Sequence, residues 1–365
     1  METKQREQWL DAAKTIAILI VLMNHGGLMV RGVNFWGGMF FVPVFFVLAG
    51  YTYSPREESI GKFVARKAKR LLIPYFSVNA FLFAFFFLKK GMAGQLVQEE
   101  LLTSLVGIFY ARNQLLVSNN HTIWGAVDVG NIYFMPNLNS PTWFLPALFL
   151  SLVVFGVLFR LTKGDGKKIG FFTTVGVLFG VIYHYLSPVL LPFSLDATAF
   201  FLSLIVLGYF IREKQIFQSM CKRPYFFLGL LAVFIVTGIY NGSANFSVGN
   251  YGKSVMLAVF NAAAGSFILM FFCCRLKKWI PGVVALVGRH TMAIMNWHMF
   301  FFLFGITLIN ILSDTFHIPE KGIVSGILRL CMILAAMGLI TGISLAVEKW
   351  KQKGGLFFEN KKRSN

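Results

Sequence analysis

Three ionisable side chains stand in the first apolar stretch of the chain, residues 9–27: Asp11, Lys14 and His25. Lys14 and His25 are eleven residues apart, so on a helix they share one face and lie roughly 16 Å apart along the axis. Asp11 lies near the same face. Histidine exchanges a proton near neutral pH, and an ionisable group inside a membrane costs on the order of 2.5–3.5 kcal/mol or more. These three residues are therefore a candidate functional site.

Structural roles for the same residues remain open at this point. Asp11 and Lys14 are also consistent with a place at the inner membrane interface, where they would pair or extend to water. His25 is also consistent with a structural histidine at the outer headgroup level. His298, about midway along a later predicted span at about 289–312, suits helix packing as well as it suits a site.

A second pattern is a cationic segment just before the apolar span predicted at about 71–88. Lys62, Arg66, Lys69 and Arg70 follow one another at spacings of three and four, which places them on one helical face. Such a row suits a polyanion, and the forked guanidinium of arginine suits phosphate especially. Attraction to anionic lipid headgroups explains the row equally well.

Polar residues near the predicted outer side form a third set. Trp143 opens the span predicted at about 141–160, and a tryptophan at such a position is usually an interfacial anchor. Asp196 opens the span predicted at about 193–211, where a carboxylate either favours the helix N-terminus or binds a hydroxylated substrate. The chain has no HExxH, P-loop, GxSxG or CxxC motif, so metalloprotease, NTPase and serine-hydrolase functions lack support, and we expect no metal.

The elements that position these residues follow from composition. The 365 residues are 56% hydrophobic and 16% aromatic but only 13% charged, whereas soluble domains average about 25% charged residues. Apolar runs of span length predict an all-α, polytopic membrane helix bundle. The net charge of +19 lies mostly in short segments between these runs, as the positive-inside rule predicts, and this argues against nucleic acid as a partner.

Ten spans are predicted, and alternation of the basic segments places both termini in the cytoplasm. Residues 1–350 are expected to form a single membrane domain, followed by a basic cytoplasmic tail at 351–365. The largest outer segment, roughly 89–140, contains a predicted amphipathic helix near 97–117. The ten spans are about 11–30, 36–53, 71–88, 141–160, 169–187, 193–211, 224–241, 254–274, 289–312 and 322–347.

Taken in order, these pieces resemble the integral-membrane acyltransferase family 3, and within it the fucose 4-O-acetylase-like branch. The resemblance covers about residues 6–300. The matching pieces are residues 9–14 with His25 eleven residues later, 43–51, 66–75, 142–145, Asp196 with 207–208, and 286–291 leading to His298. The chain departs from the branch at Phe41-Val42, where the branch often has His-Met.

The resemblance implies a donor and a set of catalytic residues. It implies transfer of an acyl group, usually acetyl, from acyl-CoA to a hydroxyl of a sugar or surface glycan. His25 would act as general base on that hydroxyl, while Lys14 or a backbone donor would help neutralise charge and Asp11 would orient Lys14. The cationic row would bind the CoA phosphates, with the pantetheine arm passing Lys14. The row consists of Lys62, Arg66, Lys69 and Arg70.

On the acceptor side, the resemblance leads us to expect Trp143 to stack on a sugar face and Asp196 or Asn139 to bind its hydroxyls. The expected partners are acyl-CoA as co-substrate, a carbohydrate or lipid-linked glycan, and membrane lipid, without a metal cofactor. The expected location is the bacterial inner membrane. A glycan transporter or flippase that uses the first-span charges for coupling is the alternative function, and a non-catalytic membrane sensor is a third.

Overall fold

The computed structural model describes residues 7–117, 122–123, 132–134, 139–221, 224–320 and 322–363. The chain is 80% helical without strands in this described part, which confirms the all-α prediction. In chain order the helices are α1 (Gln8–His25), α2 (Arg31–Gly38), α3 (Pro43–Tyr51), α4 (Ile60–Met92), α5 (Gln98–Tyr110), α6 (Phe144–Leu161), α7 (Gly166–Leu186), α8 (Thr198–Glu213), α9 (Ile216–Cys221), α10 (Pro224–Asn241), α11 (Val255–Arg275), α12 (Gly282–Arg289), α13 (Thr291–Phe316) and α14 (Ile323–Arg363).

Seven helical segments of the described chain are long and apolar enough to span a membrane. The α2–α3 pair becomes an eighth if its two helices, bent by 51°, form one broken span. The remaining two predicted spans coincide with α1, which carries several polar residues, and with α10, whose apolar part is shorter. The protein is a polytopic helical membrane bundle, and the number ten and the orientation stay predictions. The seven segments are Ile60–Met92, Ser140–Leu161, Gly166–Leu186, Pro192–Glu213, Val255–Arg275, Thr291–Phe316 and Ile323–Gln352.

Two predicted boundaries change in physically simple ways. The second span, expected over 36–53, is interrupted before Pro43, which occupies the first turn of α3 where its missing N–H costs nothing. The third span, expected over 71–88, is part of a 33-residue helix that also contains the cationic segment. Ser59 caps this helix by accepting a hydrogen bond from the Lys62 amide.

The described chain divides into two compact units. The terminal unit comprises residues through Val30 together with those from Leu276 onward, and it contains α1 and α12–α14. The central unit is Arg31–Arg275 and contains α2–α11. The single membrane domain expected over residues 1–350 stays a prediction.

In the central unit, two glycines let α3 and α8 pack with their backbones in contact. A Cβ on Gly50 would lie 1.9 Å from the Ile205 carbonyl oxygen, and one on Gly208 would lie 1.9 Å from that of Val47. Phe46 and Phe201 stack beside them with ring centroids 4.2 Å apart. Glycine at these two positions therefore permits the close helix contact.

In the terminal unit, α1 packs against α12 in the same manner. A Cβ on Gly288 would lie 2.0 Å from the carbonyl oxygen of Asp11, and Thr15 Oγ1 donates to the Val284 carbonyl at 2.7 Å. Most of α1 is buried, including Ile18 and Leu22 at 0% exposure. This packing holds α1 rigidly enough to position the residue at its C-terminal end, His25.

Candidate active site

The last residue of α1 lies beside a second histidine from α13. The ring centroids of His25 and His298 are 5.7 Å apart, with an angle of 50° between the ring planes. His298 is fully buried, whereas His25 is partly buried. The structure therefore brings His25 of the first predicted span close to His298 of the ninth. The sequence had left both a packing role and a site role open for His298.

Hydrogen bonding fixes the tautomer of His298. Its Nδ1 lies 3.0 Å from the carbonyl oxygens of Ile294 and Met295, and since a carbonyl only accepts, Nδ1 carries the hydrogen. In the neutral ring Nε2 is then an acceptor. This Nε2 is buried and has no hydrogen-bond partner in the described chain. A buried, unsatisfied acceptor is costly in a structural role, which favours a site role for His298.

An arginine of α14 contacts the turn that follows His25. Arg329 Nη1 donates to the Gly26 carbonyl oxygen at 3.1 Å, and its Nε donates to Ser325 Oγ at 3.4 Å. The sequence analysis did not single out Arg329. The sequence did offer a signal, because Arg329 lies inside the apolar run 322–347. As with Lys14, an ionisable residue inside a membrane span is a candidate for function.

The other two predicted catalytic residues lie further back along α1. Lys14 Nζ donates to Asp11 Oδ1 at 3.1 Å, and Arg289 Nε lies 3.9 Å from Asp11 Oδ2. Asp11 is 1% exposed. Eleven residues of helix separate Lys14 from His25, roughly 16 Å along the axis. The carboxylate thus holds two cations together, at a distance from the histidine pair.

The cationic segment of the central unit is largely open to its surroundings. Lys62, Lys69 and Arg70 are exposed. Arg66 instead forms a two-pronged ion pair with Glu58, and its guanidinium carbon lies 5.5 Å from the centroid of the Phe63 ring. The adjacent guanidinium keeps the pKa of Glu58 below its usual value. Three of the four predicted phosphate ligands are therefore accessible, while Arg66 already has an anionic partner.

Two of the predicted acceptor residues, Trp143 and Asn139, are buried, and Asp196 is partly buried. Trp143 is 7% exposed and lies 6.0 Å from Phe201 between ring centroids, and Asn139 is 0% exposed. Asp196 forms an ion pair with the buried Arg112, 2.7 Å between Oδ2 and Nη2, and accepts from the Leu191 amide at 3.0 Å. Their roles in acceptor binding stay predictions. Arg112 itself had no sequence signal, since it is one of three cations in the long outer segment, together with Lys89 and Lys90.

A cavity of about 550 Å³ opens in the central unit, beside the C-terminal end of α7 and the loop between α10 and α11. Its walls include His184, Tyr185, Tyr251, Asn250 and Lys253. Burial raises the pKa of the Tyr251 phenol, so this hydroxyl stays protonated and polar. Cavities of this size with aromatic walls and a few polar groups are typical of small-molecule sites.

A family comparison decides among the possible activities. The family model described as an acyltransferase domain matches residues 7–349. The chain belongs to acyltransferase family 3. Membership in acyltransferase family 3 indicates membrane acyltransferase activity and confirms the resemblance at the family level, while the fucose 4-O-acetylase-like branch stays a prediction. A search of curated proteins finds no match.

The family match covers residues of both compact units, including the histidine pair and the cationic segment. No group of three or more His, Cys, Asp or Glu side chains arranged to hold a metal ion is found among the described residues. The expectation that acyltransferase family 3 chemistry needs no metal in this chain stays a prediction.

Proposed function

We propose that this protein is an O-acyltransferase of the bacterial inner membrane that moves an acyl group, acetyl in the simplest case, from acyl-CoA to a sugar hydroxyl. The acceptor is a surface or exported polysaccharide or its lipid-linked precursor. The observation that carries the proposal is the His25–His298 pair, in which a partly buried imidazole lies beside a fully buried one with an unsatisfied acceptor nitrogen. Family membership favours this function over a transporter.

His25 is the general base in this mechanism. One ring nitrogen takes the proton of the sugar hydroxyl as the hydroxyl oxygen attacks the thioester carbon. The carbonyl electron pair moves to oxygen, then returns as the carbon–sulfur bond breaks. The departing thiolate takes the proton from the His25 imidazolium, so the products are the sugar ester and CoA thiol, and His25 is regenerated neutral.

His298 positions His25 rather than reacting itself. A base oriented by a third hydrogen-bonding group is the usual arrangement in acyl transfer. We assign the His298 Nε2 the acceptor role toward the N–H of His25, which leaves the other His25 nitrogen free for the hydroxyl. The present centroid separation of 5.7 Å implies a longer contact that tightens when substrates bind, as is common for catalytic hydrogen bonds.

Donor and acceptor binding are assigned to other residues. The exposed Lys62, Lys69 and Arg70 suit the phosphates of CoA. Lys14, paired with Asp11, lies at a distance from His25 along α1, so its charge does not act at the base. We therefore assign Lys14 to donor binding. The cavity beside Tyr185 and Tyr251 suits a sugar, since aromatic rings cover the apolar face of a sugar and amide groups bind its hydroxyls.

The test is glycan-dependent release of CoA from acetyl-CoA by purified protein in nanodiscs. Wild type is compared with His25→Ala, with a crude surface-glycan extract as acceptor. The matched control is His317→Asn, a change at an exposed histidine whose positive φ of 51° asparagine tolerates. We expect release by wild type and control only. Acetyl-CoA binding without any acyl transfer to glycan extracts, by folded wild type, would contradict the proposal.

A further inference from the structure

Arg329 is a cation within an apolar membrane segment, on α14 and inside the candidate span Ile323–Gln352. Its side chain is partly buried. A charge in this position is costly unless it is neutralised or serves a function. No ion pair between Arg329 and a carboxylate occurs in the part of the chain that the structure describes, whereas Lys14 in the same unit pairs with Asp11.

The contacts that Arg329 does make leave most of its hydrogen-bonding capacity unused. A guanidinium has five N–H donors. One is directed to the Gly26 carbonyl and one to Ser325 Oγ. Stabilising the C-terminal carbonyls of α1 accounts for the first of these, but it needs neither a full charge nor the remaining three donors.

Glycine at position 27 makes room for the guanidinium. Gly27 has a φ of +70°, and a Cβ there would lie 2.4 Å from Arg329 Nη1. Any side chain would therefore be strained in backbone conformation and would also collide with the arginine. The turn formed by Gly26 and Gly27 thus accommodates the positive charge of Arg329 directly after the proposed base, His25.

We propose that Arg329 is a catalytic residue that stabilises the oxyanion formed on the thioester carbonyl during acyl transfer, an inference that rests on the proposed function. When the sugar oxygen bonds to the carbonyl carbon, the carbonyl π electrons become a localised negative charge on oxygen. Free N–H donors of Arg329 bind this oxygen while His25 holds the hydroxyl proton. As the thiolate leaves, the electron pair returns to the carbonyl and the charge at Arg329 disappears.

This assignment separates two cations of the terminal unit by role. Lys14, the residue first expected to neutralise charge, lies roughly 16 Å along α1 from His25. Arg329 contacts the residue that follows His25. Charge stabilisation weakens steeply with distance and is strongest where water is excluded, so Arg329 is the better placed of the two.

Arg329→Gln tests the proposal, because glutamine keeps an N–H donor for the Gly26 carbonyl but removes the charge. Arg212→Gln is the matched control, since Arg212 likewise donates to backbone carbonyls, those of Tyr51 and Tyr53. Acetyl-CoA-dependent transfer is measured in nanodiscs, with kcat and donor KM determined separately and thermal unfolding recorded. Arg329→Lys is measured alongside to retain charge without the forked geometry.

We expect kcat of Arg329→Gln to fall about 10²–10³-fold, the usual effect of losing one oxyanion donor. Donor KM and the unfolding temperature should stay near wild type, and Arg329→Lys should recover part of kcat. Normal kcat in Arg329→Gln, or a loss that appears in donor KM instead, overturns the role of Arg329 while leaving the proposed function intact. Absence of acyl transfer by wild type overturns both.

Discussion

Two arginines of this protein lie in apolar surroundings and differ in their partners. Arg112, in the central unit, is fully buried and bonds to Asp196 at 2.7 Å, to Ser194 Oγ at 2.9 Å and to the Phe246 carbonyl at 3.3 Å. Arg329, in the terminal unit, has a backbone carbonyl and a hydroxyl as partners. The charge of Arg112 is neutralised by Asp196 within the fold, whereas the charge of Arg329 stays available to a substrate.

The same contrast applies to acceptor groups. Both oxygens of Asp196 take part in hydrogen bonds within the central unit. In the terminal unit, Nε2 of His298 is buried without a partner in the described chain. Unsatisfied polar atoms are where a fold gives up stability for function. Arg112 Nε is also buried without a partner in the described chain, but the charge of Arg112 is paired with Asp196. The comparison therefore supports our proposal that the histidine pair is the site of chemistry, and it favours a structural role for the Arg112–Asp196 pair.

Breaking the structural pair should produce the largest change. Asp196→Asn leaves Arg112 buried without a countercharge, and we expect a loss of about 3–5 kcal/mol in the free energy of unfolding. Thermal unfolding in nanodiscs measures it as a fall of several degrees or more. The double variant Arg112→Met, Asp196→Leu should recover most of the loss. An unchanged unfolding temperature in Asp196→Asn would remove the structural role from this pair.

Removing the acceptor nitrogen of His298 should come next. In His298→Phe a ring of similar shape remains but cannot accept a hydrogen bond, so kcat should fall about 10²-fold, at the lower end of acid–base effects. His298→Gln retains a carbonyl acceptor and should recover part of kcat. A packing role predicts the reverse order, with phenylalanine tolerated and glutamine harmful, because the site is fully buried.

The cationic segment should give a smaller, salt-dependent effect. Combining Lys69→Gln with Arg70→Gln should raise donor KM several-fold at low ionic strength, because these exposed charges are assigned to phosphates and exposed ion pairs contribute about 0.2–1 kcal/mol each. The effect should shrink as salt screens the attraction. A donor KM that does not respond to these changes at any salt concentration assigns the segment to lipid headgroups alone.

The smallest expected change is a gain. Glu58→Gln removes the anionic partner of Arg66 and frees its guanidinium for phosphate, so donor KM should fall by about two- to fivefold, corresponding to an exposed pair. The pKa of Glu58 is held low by Arg66, so the carboxylate is ionised in the wild type at neutral and mildly acidic pH. The gain should therefore be the same at pH 6 and pH 8. Weaker donor binding by Glu58→Gln would contradict this prediction.

The sequence predicted what depends on local patterns. Apolar run length located the helices, and helical periodicity placed Lys14 and His25 on one face and the four cations of the row on another. The effects of Pro43 on bending and of Gly50 on close packing are likewise properties of single residues. These features need no knowledge of which helices meet.

Contacts between distant helices were beyond the sequence. His25 and His298 come from opposite ends of the chain, and nothing in the spacing of either helix says that their rings meet. Asp196 was expected either to favour a helix N-terminus or to bind a substrate hydroxyl, and nothing in the sequence indicates its ion pair with the distant Arg112. Membrane helices share one apolar surface composition, and their pairing depends on detailed packing of small residues.

The central claim is that His25 takes the proton of the acceptor hydroxyl, and single-turnover transfer measures that step most directly. Protein saturated with acetyl-CoA is mixed with glycan acceptor, and the rate of ester formation is compared between wild type and His25→Gln, which retains a hydrogen-bonding side chain but no base. We predict a rate lower by about 10²–10⁴-fold at equal donor occupancy. A rate within threefold of wild type would contradict the account.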